Sequence, residues 1–66
     1  MEITVNGAMH CFESSLCVAD LIAKLDLAGK KVAVERNGEI VPKSEHARTA
    51  LANGDRVEIV VAVGGG

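Results

Sequence analysis

Asn-Gly occurs three times, at Asn6-Gly7, Asn37-Gly38 and Asn53-Gly54. Both residues tolerate positive φ, so the pair marks tight turns and, between alternating runs, β-hairpins. The three turns divide the 66 residues into short stretches. Those stretches are not self-similar, so the division is not a repeat. A chain this short forms one domain. It buries only about 60% of the surface its unfolded form exposes. Nearly every apolar residue must therefore serve a single core, and a hydrophobic content of 48% allows this.

The stretches between the turns have distinct periods. In "MEITV", Ile3 and Val5 point one way and Glu2 and Thr4 the other, the pattern of a half-buried strand. "AMHCFE" reads as a second strand with Phe12 inward, although its poor alternation leaves the register open. "SSLCVADLIAKLDLAGKK" reads as the helix. Val18, Leu21, Ile22 and Leu25 form an apolar stripe, and Asp20, Lys24 and Asp26 fall off it. Ser14, Ser15 or, less well, Cys17 caps its start, and Asp20 complements the dipole if the helix begins near Cys17. Gly29 is the expected stop.

Val32 to Arg36, the Asn37-Gly38 turn and Glu39 to Val41 form a hairpin that Pro42 ends. A short helical turn is expected near Ser44 to Ala47, with Leu51 as a core anchor. In "RVEIVVAV", Val57, Ile59, Val61 and Val63 alternate with Arg56, Glu58, Val60 and Ala62. Val60 and Ala62 are thus apolar on the face away from the core. This strand carries so little charge that it is expected inside the sheet. The order predicts a two-layer α+β domain with one main helix across a sheet of four to five strands. The domain is expected over residues 1–63, with 64–66 as a glycine tail.

Several function classes find little support. The net charge is −2 without a basic stripe, and Phe12 is the only aromatic residue. A nucleic-acid binder needs cationic surface, and single-strand binders need stacking platforms. No apolar run is long enough for a membrane span, and the start lacks a signal-peptide pattern. A cytoplasmic protein is expected. Cys11 and Cys17 match no CxxC signature. With His10 and His46 they offer neither a metal-ligand spacing nor a nucleophile, base and orienting group together. No metal or other bound cofactor is expected.

The order of elements, with Gly-Gly after the last strand, resembles the ubiquitin-like β-grasp fold. Within it, "ITVNG", "VADLIAKLDL", "VAVERNGEIVP" and "LANGDRVEIVVAVGGG" resemble the thiamin-pathway sulfur carriers of the ThiS family along the whole chain. Cys17 stands where many relatives have a capping Thr, and His10 takes a strand position that could be more apolar. The resemblance implies a protein that is not an enzyme but a co-substrate, monomeric when free. Its Gly66 carboxylate is adenylated by a ThiF-like activating enzyme that uses ATP and Mg²⁺. A donor such as a cysteine desulfurase relay then supplies sulfur, and the thiocarboxylate passes to thiazole synthase.

The glycines suit that chemistry. An α-carboxyl with a pKa of about 3.5 is ionised in the cell. It is a poor electrophile until a mixed anhydride activates it. Gly64, Gly65 and Gly66 span roughly 10 Å when extended. Without Cβ atoms they can thread a narrow channel and adopt the φ each partner demands. The entropy lost on docking must be offset by contacts of the body, for which Val60 and Ala62 are the candidate surface. "VGGG" leads into no helix and is no phosphate loop. The alternatives are a molybdopterin-synthase small subunit or another sulfur carrier of the same fold, a ubiquitin-like protein modifier, and a passive β-grasp interaction module.

Overall fold

The computed structural model describes residues 1–62. β1 (Glu2–Val5) turns through Asn6-Gly7 into β2 (Ala8–Cys11), and α1 (Val18–Lys24) follows. β3 (Val32–Arg36) and β4 (Glu39–Val41) form the second hairpin. A 3₁₀ helix (Lys43–Glu45) leads towards β5 (Arg56–Val61). The sheet has five strands in the order β2-β1-β5-β3-β4. β5 lies at its centre, parallel to β1 and antiparallel to β3. This is the β-grasp arrangement. The expected division at 63/64 lies outside the described residues.

Alternation sets the core. Ile3 and Val5 of β1, Val34 of β3, Val41 of β4, and Val57 and Ile59 of β5 are buried. They form one cluster with Val18, Leu21 and Ile22 of α1 and with Leu16 and Leu51. Each such side chain contributes about 1.5–3 kcal/mol when fully buried. Phe12 packs half-buried against this cluster, as expected. The Asn6-Gly7 turn resolves the open register of β2: Val5 faces Ala8 and Ile3 faces His10, which places Phe12 on the inner side.

The helix is shorter than its stripe. It starts with Cys17, not Ser14 or Ser15, as N-cap. The Asp20 carboxylate accepts from the Cys17 N–H at 3.0 Å and from Sγ at 3.2 Å. These two hydrogen bonds, backbone first, hold the Asp20 carboxyl below its ordinary value. The N–H groups of Val18 and Ala19 instead donate to the carbonyls of Thr49 and His46. The 43–51 segment thus satisfies orphan donors of the helix start.

The helix also ends before Gly29. Asp26 adopts φ 61°, its N–H donates to Ala23 O, and the Leu27 N–H donates to Ile22 O. This is a Schellman ending with Asp in the left-handed position, which turns Leu27 back towards Ile22. Gly29, at φ 88°, belongs to the loop beyond. The 3₁₀ helix begins one residue before the expected turn, directly after Pro42.

All three Asn-Gly asparagines prolong strand pairing past a strand end, Asn6 after β1, Asn37 after β3 and Asn53 ahead of β5. β1 stops at Val5, yet Ile59 of β5 still directs its backbone groups to that side. Asn6 Oδ1 accepts from the Ile59 N–H at 2.7 Å, and Nδ2 donates to Ile59 O at 3.0 Å. Asn37 Oδ1 accepts from the Arg56 N–H at 2.9 Å. Asn53 Oδ1 accepts from the Glu2 N–H at 2.7 Å, and the Gly54 N–H donates to Glu2 O. Asp55 is buried and ties the Asn37 turn to the 52–55 turn. Its carboxylate accepts from Arg36 Nε at 2.8 Å, Asn37 Nδ2 at 3.0 Å and the Ala52 N–H at 2.8 Å.

Two predictions follow from these contacts. Asn6→Gly retains the positive φ and removes the amide bridge, with a further small loss from the freer unfolded backbone. It is expected to lower the unfolding free energy by roughly 1–3 kcal/mol, the range for unsatisfied buried groups. Urea denaturation indistinguishable from wild type would show that the amide bridge is dispensable. For Asp55, burial alone would raise the carboxyl pKa. The hydrogen bonds from Ala52, Asn37 and Arg36, with the Arg36 charge, outweigh it and hold the carboxyl below the ordinary 3.8. A depressed folded pKa stabilises fully above the unfolded value and is lost as pH falls through the folded one. Below about pH 4, wild type should therefore lose stability more steeply than Asp55→Asn. Parallel stability curves for the two proteins would exclude Asp55 from this role.

Candidate functional site

The helix covers one face of the sheet, and the other face is open. Because β5 is central, its outward residues occupy the middle of that open face. Glu58, Val60 and Ala62 alternate with the buried Val57 and Ile59. Val60 is 63% exposed and Ala62 is exposed, as expected for both. Val61 is less buried than its parity predicts, at 36% exposed. It pairs with Val32 at the first residue of β3, where the sheet offers little further cover. Beyond it the Ala62 N–H donates to Lys31 O at 2.8 Å. Val63 and the expected tail residues Gly64, Gly65 and Gly66 lie outside the described residues.

Register assembles the rest of the face. Ala33 stands opposite Val60, Glu35 opposite both Glu58 and Ile40, and Met9 opposite Thr4. Ile40 and Met9 are 77% and 63% exposed. The face is therefore apolar at Met9, Ala33, Ile40, Val60 and Ala62, with acidic side chains between. Glu35 and Glu58, directly opposed, repel each other. Sequence reasoning did not single out Met9 or Ile40. Their signal was present, since a two-residue turn pairs its flanking residues and so fixes parity. Asn37-Gly38 pairs Arg36 with Glu39 and hence Glu35 with Ile40.

The polar candidates lie apart. His10 stacks on Phe12 with ring centroids 6.2 Å apart, and Cys11 is exposed at the end of β2. Cys17 is occupied at the helix start. His46 is buried, with Nε2 3.1 Å from Val41 O. Since a carbonyl only accepts, Nε2 carries the proton in this contact. Among the described residues, no three His, Cys, Asp or Glu side chains group as metal ligands. No helix among them is long and apolar enough to cross a membrane.

If the exposed apolar residues of this face serve only contact, removing their apolarity should leave the fold untouched. Val60→Thr and Ile40→Thr keep the β-branch. Each is expected to change the unfolding free energy by less than about 0.5 kcal/mol. A loss of about 2 kcal/mol in denaturant titration would instead assign them to the core.

The ThiS family model matches residues 3–66. The sulfur carrier protein ThiS of Bacillus subtilis is 45% identical over 49 residues, which cover 74% of each chain. The thiamine biosynthesis protein ThiS of Geobacter metallireducens has a crystal structure that superposes with a TM-score of 0.84 at 36% identity, covering all of both chains. A thiazole synthase of Paramagnetospirillum magneticum is 47% identical over all 66 residues. The chain spans about one fifth of the length of that synthase and of a second one from Magnetococcus marinus. On its sequence from Ile3 to Gly66 and on its fold, the chain belongs to the ThiS family.

Proposed function

We propose that this chain is a sulfur carrier for thiamin biosynthesis and that Gly66 carries the sulfur as a thiocarboxylate. The observation that bears most weight is the family match running through the last glycine, after a strand held at the centre of the sheet. With Gly66 terminal, one carboxylate oxygen attacks the α-phosphorus of ATP and pyrophosphate leaves. A sulfur nucleophile then attacks the acyl carbon and AMP leaves. Two manageable displacements replace one difficult one.

ATP and Mg²⁺ belong to the site of a ThiF-like adenylating enzyme, which stabilises the phosphoryl charge. The chain is a co-substrate and not itself the catalyst. Gly64, Gly65 and Gly66 lie in the partner's channel, and Val60 and Ala62, with Ile40 and Met9 on the same face, contact the partner's rim. A cysteine desulfurase relay fits the donor role. The terminal sulfur of its persulfide displaces AMP to give an acyl disulfide. A second thiol then attacks the donor's own sulfur, releasing the Gly66 thiocarboxylate and leaving a disulfide on the donor side. Thiazole synthase is the proposed acceptor. The two synthases that contain a stretch matching this whole chain support that pairing.

Deletion of Gly66, or one residue added after it, is expected to abolish ATP–pyrophosphate exchange by the adenylating enzyme. The mass shift of sulfur for oxygen on the carrier should disappear with it, while the amide spectrum of the body is unchanged. A shortened chain that still supports exchange would sink the proposal. A Gly-Gly remnant on lysines of other proteins would favour a modifier instead.

A further inference from the structure

Behind the tail root, on the helix side of the sheet, lies a second surface. A groove of about 720 Å³ runs between α1, the 27–32 loop and the segment after β4. Ile22, Leu27 and Val32 give it an apolar floor, and Lys30, Lys31 and Lys43 stand around it. Three of the chain's four lysines line this groove, and none of its nine acidic side chains does. The ion pairs among the described residues are Arg36–Asp55 and Arg48–Glu45, so no carboxylate side chain there neutralises these lysines. In a chain of net charge −2, three of the seven Lys and Arg side chains meet around this groove.

We propose that this groove receives an acidic segment of the adenylating enzyme, one that carries an apolar side chain for the floor. The inference rests on the function proposed above and adds a second contact surface to it. Position is the first argument. Lys31 accepts the Ala62 N–H through its carbonyl, so the groove begins where the described part of β5 ends. An enzyme that encloses the following residues in a channel lies against both sides of this root. On one side it meets Val60 and Ala62, and on the other the lysines.

Chemistry is the second argument. No buried side-chain nitrogen or oxygen among the described residues lacks a hydrogen-bond partner. The ring of His46, which also borders the groove, already serves Val41 O. The floor therefore offers no unpartnered buried polar side chain to orient a small anion. Lysines on long stems act as point charges, which suits a carboxylate-bearing segment recognised by charge and apolar area.

The test uses the adenylating enzyme as probe and isotope-labelled carrier. At low salt, enzyme should broaden the amides of Lys30, Lys31, Val32, Lys43 and Ala47 together with Val60 and Ala62. Lys30→Glu/Lys31→Glu/Lys43→Glu should weaken binding about tenfold, with the difference shrinking as salt rises. Lys24→Glu, outside the groove, should change it less than about twofold. Exchange at saturating carrier should keep its maximal rate, and the corresponding triple Ala variant should show a smaller effect in the same direction. Triple-Glu binding as tight as that of Lys24→Glu would overturn the inference. So would broadening confined to Val60 and Ala62, which would leave the function above standing. ATP or tripolyphosphate alone reproducing the groove shifts would assign the site to a small anion and overturn it. Wild-type carrier that neither binds the enzyme nor supports exchange would remove both readings together.

Discussion

β5 has to be held by partners that lie far from it in the chain. Its parallel neighbour β1 belongs to the N-terminal hairpin, and Asn6 and Ile59 are 53 residues apart. No hairpin brings β5 into register, so loop closure costs entropy before any contact forms. Its backbone groups are buried at the centre of the sheet and need partners along their whole length. β1 is too short to supply them all. The Asn6 amide does so because it carries one acceptor and a donor pair, the functional equivalent of a peptide group. Asn37 and Asn53 do the same at other strand ends. An asparagine chosen for its turn conformation therefore also sets the position of a neighbouring strand remote in sequence, which glycine could not do.

A similar economy governs the helix. At seven residues α1 is too short to stand alone in water. Its apolar stripe is anchored by the sheet. Leu16 and Leu21, both buried, stand at the staple positions around its start. Two of its first N–H groups are satisfied by carbonyls of the 43–51 segment. That segment looks like a connection but acts as the helix cap, with Leu51 buried and Cys17 bridged to Ala50.

These constraints shape the proposed site. The central strand of the sheet is the one that leads towards Gly66. On the proposed reading, binding energy gathered on either side of β5 is delivered to the tail through a paired strand and not through a loose loop. The open face is apolar and acidic, the groove behind it apolar and cationic. The two surfaces ask different things of a partner, and both meet at Ala62.

The strand periods, both hairpins, the central place of β5 and the outward parity of Val60 and Ala62 were legible along the chain. They depend on neighbours in sequence: alternation of two, Asn-Gly turns and uncharged runs. The helix's existence was legible for the same reason, but its ends were not. Gly29 is the better left-handed residue, yet the chain turns at Asp26. There the pull of Leu27 towards Ile22 outweighs the preference for glycine. Ser14 and Ser15 are better caps than Cys17. The helix nonetheless begins after Cys17, because Thr49 and His46 place their carbonyls there. The reach of Asn6 to Ile59, the tie of Asp55 to Arg36 and the gathering of Lys30, Lys31 and Lys43 also needed three dimensions. Each joins groups remote in sequence, whose encounter is decided by packing of the whole sheet and not by local propensity.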